Sequence, residues 1–249
     1  MVEEKIKKGR ELYDTFEVCN PAQERMNEYP FLEGPVRVCA ENRGQLIDAG
    51  CGRGYWFPVY QDWGVNKEQI LGLDSSIRAI ESIISRGYSG LHTDLTAISA
   101  LPGDCANLCV ATGSLMHTYD TRIAFDECCR LVKPGGELVV NLYNVYHPYF
   151  WLIHKCTYFL RHFFHNQYRI WWWPFAIFFQ LQNFGRRKKW LNQKDLEAVF
   201  FDQVMTPYAH LHSMRSVKTW FANNHFSVKE SGYNLAYAMF WIRGIKNSE

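Results

Sequence analysis

The residues with the clearest chemical potential in this chain are a run of glycines with acids spaced around it. Asp48-Ala49-Gly50-Cys51-Gly52-Arg53-Gly54 follows the short apolar run Gln45 to Ala49. Asp74 closes a second apolar run, Ile70 to Asp74, and Asp94 closes Gly90 to Asp94, which reads as a third strand. Glycines at such a turn permit positive φ and let a ligand approach the backbone closely, and a helix starting just beyond supplies unpaired N–H groups. An acid about 20 residues after the turn is placed to accept hydrogen bonds from ribose hydroxyls. Three acids ending three successive strands on one edge of a sheet point to a nucleotide-type ligand.

For those acids to converge, strands and helices must alternate. Ile70–Asp74 is followed by Ser75-Ser76, which offers an N-cap for a helix from Ile77 to Arg86, stopped by Gly87. Asn107 to Thr112 reads as a fourth strand and Thr121 to Val132 as a helix. The turn Lys133-Pro134-Gly135-Gly136 then leads into a fifth strand, Glu137 to Tyr143. Alternation of this kind makes a doubly wound, mostly parallel α/β sheet covered on both faces. After Tyr143 it is interrupted. It resumes with a helix from Ser213 to Asn224 and two β runs, Phe226 to Tyr233 and Ala236 to Ile245, which suit a hairpin at the sheet edge and bring the strand count to seven. The division expected is a single domain: an N-terminal helical lid over 1–43, including a surface helix from Glu3 to Val18; a cofactor-binding core over 44–143; an acceptor-side, largely helical insertion over 144–212; and a C-terminal helix with two strands over 213–249.

The order of these motifs resembles the class I S-adenosylmethionine-dependent methyltransferases, of the small-molecule type. The resemblance rests on Asp48 to Gly54, Gly72-Leu73-Asp74-Ser75-Ser76, Thr93-Asp94-Leu95, Gly113-Ser114-Leu115-Met116-His117 and Arg130 to Gly136. It covers about 44–143 and the C-terminal strands. Ala106-Asn107 departs from the Phe-Asp that members often carry into the fourth strand. The resemblance implies S-adenosylmethionine as cofactor, with Gly50, Cys51, Gly52 and Gly54 against its methionine part and Asp48 orienting its amino group. Asp74 with Ser75 would hold the ribose, Asp94 and Leu95 the adenine, and Thr112 would lie beside the sulfonium.

Methyl transfer is an in-line displacement, so holding the reactants in contact is the main task, and a hydroxyl acceptor also gains from a general base. His117, after the fourth strand, is the candidate base. Tyr146, Trp151, His210 and His212 are the candidate acceptor contacts. His210 and His212 share one face if extended, but two imidazoles without a nearby acid do not make a metal site, and no metal is expected. The eight cysteines show no zinc spacing and read as reduced thiols. With a charged N-terminus lacking an apolar run, they suggest a cytoplasmic setting.

Composition adds one asymmetry. Of the chain's 40 Trp, Tyr and Phe residues, 18 lie between Tyr143 and Trp190, and residues 138–194 hold eight Lys or Arg and no acid. The block is therefore +8 in a chain of +2, leaving −6 elsewhere. Three readings of it stay open: a lid forming an acceptor pocket, an anchor at the inner face of a membrane, and a homodimer contact or extra core layer. A single short basic cluster in an otherwise acidic chain argues against a nucleic-acid partner. The function expected is methyl transfer to a small apolar or amphiphilic acceptor, oxygen being favoured over nitrogen or carbon. The alternatives are a peripheral-membrane enzyme acting on a lipid, quinone or glycan intermediate, and a non-catalytic cofactor-binding scaffold.

Overall fold

In a computed structural model, the structure describes Glu4, Lys7, Glu11, Tyr13, Asp14, residues 26–163 and residues 167–248. Most of the helix expected from Glu3 to Val18 lies outside them. The elements that follow are α1 (Glu33–Glu41), β1 (Leu46–Ala49), α2 (Phe57–Asp62), β2 (Ile70–Asp74), α3 (Ile77–Ser85), β3 (Ser89–His92), β4 (Ala106–Thr112), α4 (Thr121–Leu131) and β5 (Val132–Tyr143). Then come α5 (Pro148–Cys156), α6 (Tyr158–Phe163), α7 (Tyr168–Trp171), α8 (Trp173–Arg187), α9 (Gln193–Phe200), α10 (Met214–Asn223), β6 (Phe226–Asn234) and β7 (Met239–Lys246).

The seven strands form one sheet in the order β3-β2-β1-β4-β5-β7-β6. The first five are parallel, with Leu46 opposite both Ile70 and Leu108, whereas β7 runs antiparallel to β5 and to β6 as a C-terminal hairpin. Strand order reverses between β1 and β4, and this switch point is where an open α/β sheet leaves a crevice at its carboxyl edge. The strands there are short and apolar because both faces are covered. On one side Phe57, Val59 and Tyr60 pack against Leu46 and Leu108; on the other Phe125, Cys128 and Phe221 pack against Cys109 and Leu138.

Caps fix where the flanking helices begin. The Ser76 hydroxyl accepts from the Ala79 N–H, the Asp120 carboxylate from Arg122 and Ile123, and Ser213 from Ser216. Two boundaries differ from expectation. β3 ends at His92, so Asp94 stands in the loop beyond it, where its carboxylate accepts from the Thr96 N–H at 2.8 Å and the Thr96 hydroxyl. The turn Lys133 to Gly136 is an excursion within β5: Val132 pairs with Ala106 and Glu137 with Leu108, and the residues between loop out with Gly135 at φ +77°.

The block after β5 is helical, as expected, and has its own small core: Ile153, Phe179, Phe200, Phe201, Val204 and Met205 pack together. The Gln180 side chain clamps α8 to the segment leading into α9, donating to the Leu191 carbonyl at 2.7 Å and accepting from its N–H at 2.9 Å.

Candidate functional site

A cavity of about 920 Å³ opens at the switch point. The β1–α2 loop forms its floor. Gly50 and Cys51 both donate N–H bonds to the Leu73 carbonyl, at 2.7 and 3.0 Å, which folds the loop back over the end of β2. Gly50 has φ +81°, and a Cβ there would lie 2.2 Å from the Ser114 Cβ, so the turns after β1 and β4 can touch only through a glycine. Ser114 reinforces the contact by donating its hydroxyl to the Ala49 carbonyl at 2.6 Å. A Cβ on Gly52 or Gly113, by contrast, would meet nothing within 4 Å. Both therefore present bare backbone to the cavity.

Asp74 ties this floor to the next loop. One carboxylate oxygen accepts from the Gly52 N–H and the other from the Ser76 N–H, each at 2.8 Å. Burial pushes its carboxyl above the usual range, and the two N–H donors partly offset that. Each oxygen keeps a lone pair for a ligand. Ser76 in turn donates to Asp14 at 2.6 Å, and Asp14 lines the cavity.

Gly50, Cys51, Gly52, Asp74, Ser75, Asp94, Leu95, Thr112 and His117 all line the cavity, so one wall gathers the residues picked out along separate stretches of sequence. Two others stand behind it. Asp48 is 2% exposed, takes the Tyr60 hydroxyl at 3.2 Å and has its carboxyl pushed up to about 7 by burial. A Cβ on Gly54 would strike the Phe57 ring and Ile83, so this glycine lets the loop pack down on α2 and α3. Cys51 is a packed thiol lying against Gly72, and burial raises its pKa well above the ordinary value.

The candidate acceptor contacts are placed elsewhere. Tyr146 and Trp151 are 78% and 52% exposed and face away from the cavity, as the start of the helical block turns them outward. His210 and His212 do share a face, with ring centroids 6.4 Å apart, but the segment that carries them pairs with the end of β5, where the His212 N–H binds the Tyr143 carbonyl. His210 N–H binds the Met116 carbonyl, and the His212 ring meets Trp220 edge-on. Both Nε2 atoms are buried without a hydrogen bond, and burial lowers both pKa values, that of His212 to about 4. No group of three His, Cys, Asp or Glu able to hold a metal ion occurs among the described residues.

The far wall belongs to residues that no motif marked: Tyr13, Tyr143, Tyr149, Phe150, Phe179 and Asp202. Tyr143 stacks on Phe150 with ring centroids 3.7 Å apart. His117 is held at both nitrogens. Nδ1 lies 2.9 Å from the Tyr208 carbonyl, which can only accept, so Nδ1 carries the proton. Nε2 then accepts from the Tyr143 hydroxyl at 3.2 Å. Burial, with the Asp202 charge nearby, raises the Tyr143 pKa well above its ordinary value and keeps it a phenol. Tyr143, ending β5, was legible as a strand residue; its part in the cavity was not.

The family model described as a methyltransferase domain matches residues 47–140. Solved structures share the fold across nearly the whole chain. A chain from the complex between the Haloferax volcanii Trm112 methyltransferase activator and a candidate methyltransferase superposes with a TM-score of 0.60 at 11% identity, over 95% of this chain and 98% of that one. A Thermotoga maritima S-adenosylmethionine-dependent methyltransferase gives 0.52 at 14% identity, over 96% and 100%. One from Mesorhizobium loti gives 0.51 at 14%, over 81% and 90%. At these identities the likeness is one of fold. No match is found among the curated proteins.

Proposed function

We propose that the chain is a class I S-adenosylmethionine-dependent methyltransferase and that it transfers the methyl group to a small apolar or amphiphilic acceptor held by the aromatic wall. The observation that carries this reading is the cavity itself. One continuous space is bounded on one side by the glycine floor and acids, and on the other by Tyr143, Tyr149, Phe150 and Phe179.

The residues present fit the cofactor. Gly52 and Gly113 leave open space where side chains would intrude, and Asp74 has lone pairs turned to the cavity after binding two backbone N–H groups. In this reading Asp74 and Ser75 take the ribose hydroxyls, Asp94 and Leu95 flank the adenine, and Gly50 to Gly52 pass along the methionine part, with Thr112 close to the transferred group. Asp48 acts from behind the floor, by holding Tyr60 and the start of the loop, and does not touch the ligand. The cofactor, when bound, supplies an electrophilic methyl on a positively charged sulfur.

The protein's remaining work is to align the acceptor and manage one proton. For a hydroxyl acceptor, the proton passes to the Tyr143 oxygen as the phenol gives its own to His117 Nε2. The Tyr208 carbonyl meanwhile keeps the Nδ1 proton in place. His117 thus serves as base through Tyr143.

Titration with S-adenosylhomocysteine tests the cofactor half. Asp74→Asn should weaken binding by about 1.5–3 kcal/mol, or roughly 10- to 150-fold, and undiminished binding would sink the assignment. Profiling metabolites and lipids of a deletion strain for a species lacking one methylene tests the acceptor half; an unchanged profile counts against transfer.

A further inference from the structure

Beyond the cavity, the helical block presents an outward face that the transfer reaction does not use. On α8, Trp173, Ile177 and Leu181 recur at every fourth residue and are 60%, 55% and 60% exposed, whereas Phe179 on the other side is buried and lines the cavity. On α5 and α6, Leu152, Phe159 and Phe163 are each more than half exposed. The rings of Tyr149 and Phe178, 5.8 Å apart, join α5 to α8. Large apolar side chains gathered in this way mark a surface that meets something other than water.

Charge says what it meets. The stretch 138–194 holds eight cations and no carboxylate. Exposed cations sit among the rings: Lys155 lies on α5, the Arg169 guanidinium is 5.9 Å from the Tyr168 ring centroid, and the Lys188 ammonium is 5.8 Å from that of Phe184. Aromatic and aliphatic side chains interspersed with cations complement an anionic lipid surface, where rings enter the headgroup boundary and Lys and Arg meet phosphates. A second copy of the chain would set the cations Lys155, Arg169 and Lys188 against their own counterparts. No described helix is long and apolar enough to cross a membrane.

We propose that the outward face of α5 to α8 docks this protein on an anionic bilayer. The docking depends on no assumption about the acceptor. The full-length protein is sedimented with phosphatidylcholine vesicles, with and without phosphatidylserine, at low and high salt. Binding is expected only to the anionic vesicles and is expected to fall with salt. The triple variant Lys155→Gln, Arg169→Gln, Lys188→Gln should weaken it about fivefold per cation. Ile177→Ser with Leu181→Ser should weaken it roughly tenfold or more. Titration with S-adenosylhomocysteine on the same variants shows that they are folded; failure of that titration in the unaltered protein speaks against the transferase reading and leaves the docking result standing. Three results overturn the proposal: no sedimentation at low salt, sedimentation that ignores lipid charge and the substitutions, or a dimer in light scattering that Ile177→Ser with Leu181→Ser dissociates while no vesicles bind.

Discussion

Gly50 and Gly52 share a positive φ and lie two residues apart, yet their surroundings separate two uses of glycine. An alanine at Gly50 would put its Cβ 2.2 Å from the Ser114 Cβ at φ +81°. Gly50→Ala should therefore cost stability, about 2 kcal/mol or more, because both the conformation and the contact are unfavourable. At Gly52 there is φ +51° and no neighbour, so Gly52→Ala should cost about 1 kcal/mol of stability while cutting affinity for S-adenosylhomocysteine. Thermal melts and calorimetry on the pair distinguish these outcomes, and equal effects at both positions would refute the division. Asp48 carries a second residue-level expectation. Its folded pKa of about 7 lies above the ordinary carboxyl value of 3.8, so between those values the folded state holds a proton that the unfolded state has lost. Stability must then fall as pH rises through that window, by up to ~4 kcal/mol. Asp48→Asn should flatten this part of a stability profile measured from pH 4 to pH 7. His210 and His212 act in the opposite sense, since their lowered pKa values make the fold less stable as pH falls below 6.5; His212→Phe should lessen the loss on acidification.

Among elements, what could be read from sequence was what local chemistry encodes. The Ser76 cap, the end of α3 before Gly87 at φ +77°, and the apolar runs of β1, β2, β4 and β5 are all properties of adjacent residues. The far wall was not legible because it is assembled by separation in sequence: Tyr13, Tyr143, Phe179 and Asp202 meet only once the helical block folds back. His117 shows the same limit. Its place after β4 follows from the motif, but its binding partners, Tyr143 and the Tyr208 carbonyl, come from β5 and from the segment beyond α9. Removing the phenol by Tyr143→Phe should slow methyl transfer about 10²- to 10⁴-fold if the acceptor is a hydroxyl, the range for losing a positioned proton acceptor. Affinity for S-adenosylhomocysteine should be retained. Transfer at the unaltered rate would mean that the acceptor atom carries no proton to be removed, as in a neutral amine or an ionised acid.

At the scale of the whole molecule, the helices after β5 have a core of their own beside that of the sheet. The sheet has two apolar layers, while Ile153, Ala176 and Phe179 of the basic block pack with Phe200 and its neighbours just beyond it in a third cluster. Phe200 is fully buried there and meets the rings of Tyr168, Trp171 and Phe175. Phe200→Ala should remove about 3–5 kcal/mol from that cluster, as loss of a large buried ring does in other cores. Because the cluster is separate, the loss should appear as local opening. In native-state hydrogen exchange, amides of α8 and α9 should lose protection while those of β1, β4 and β5 keep theirs. S-adenosylhomocysteine affinity should hold near its original value, since the glycine floor and Asp74 belong to the sheet. Acceptor turnover should fall, because Phe179 and the α8–α9 connection form the wall that orients it. Uniform loss of protection across the sheet would show instead that the block and the sheet unfold as one unit, and that selecting an acceptor and binding the cofactor cannot be varied independently.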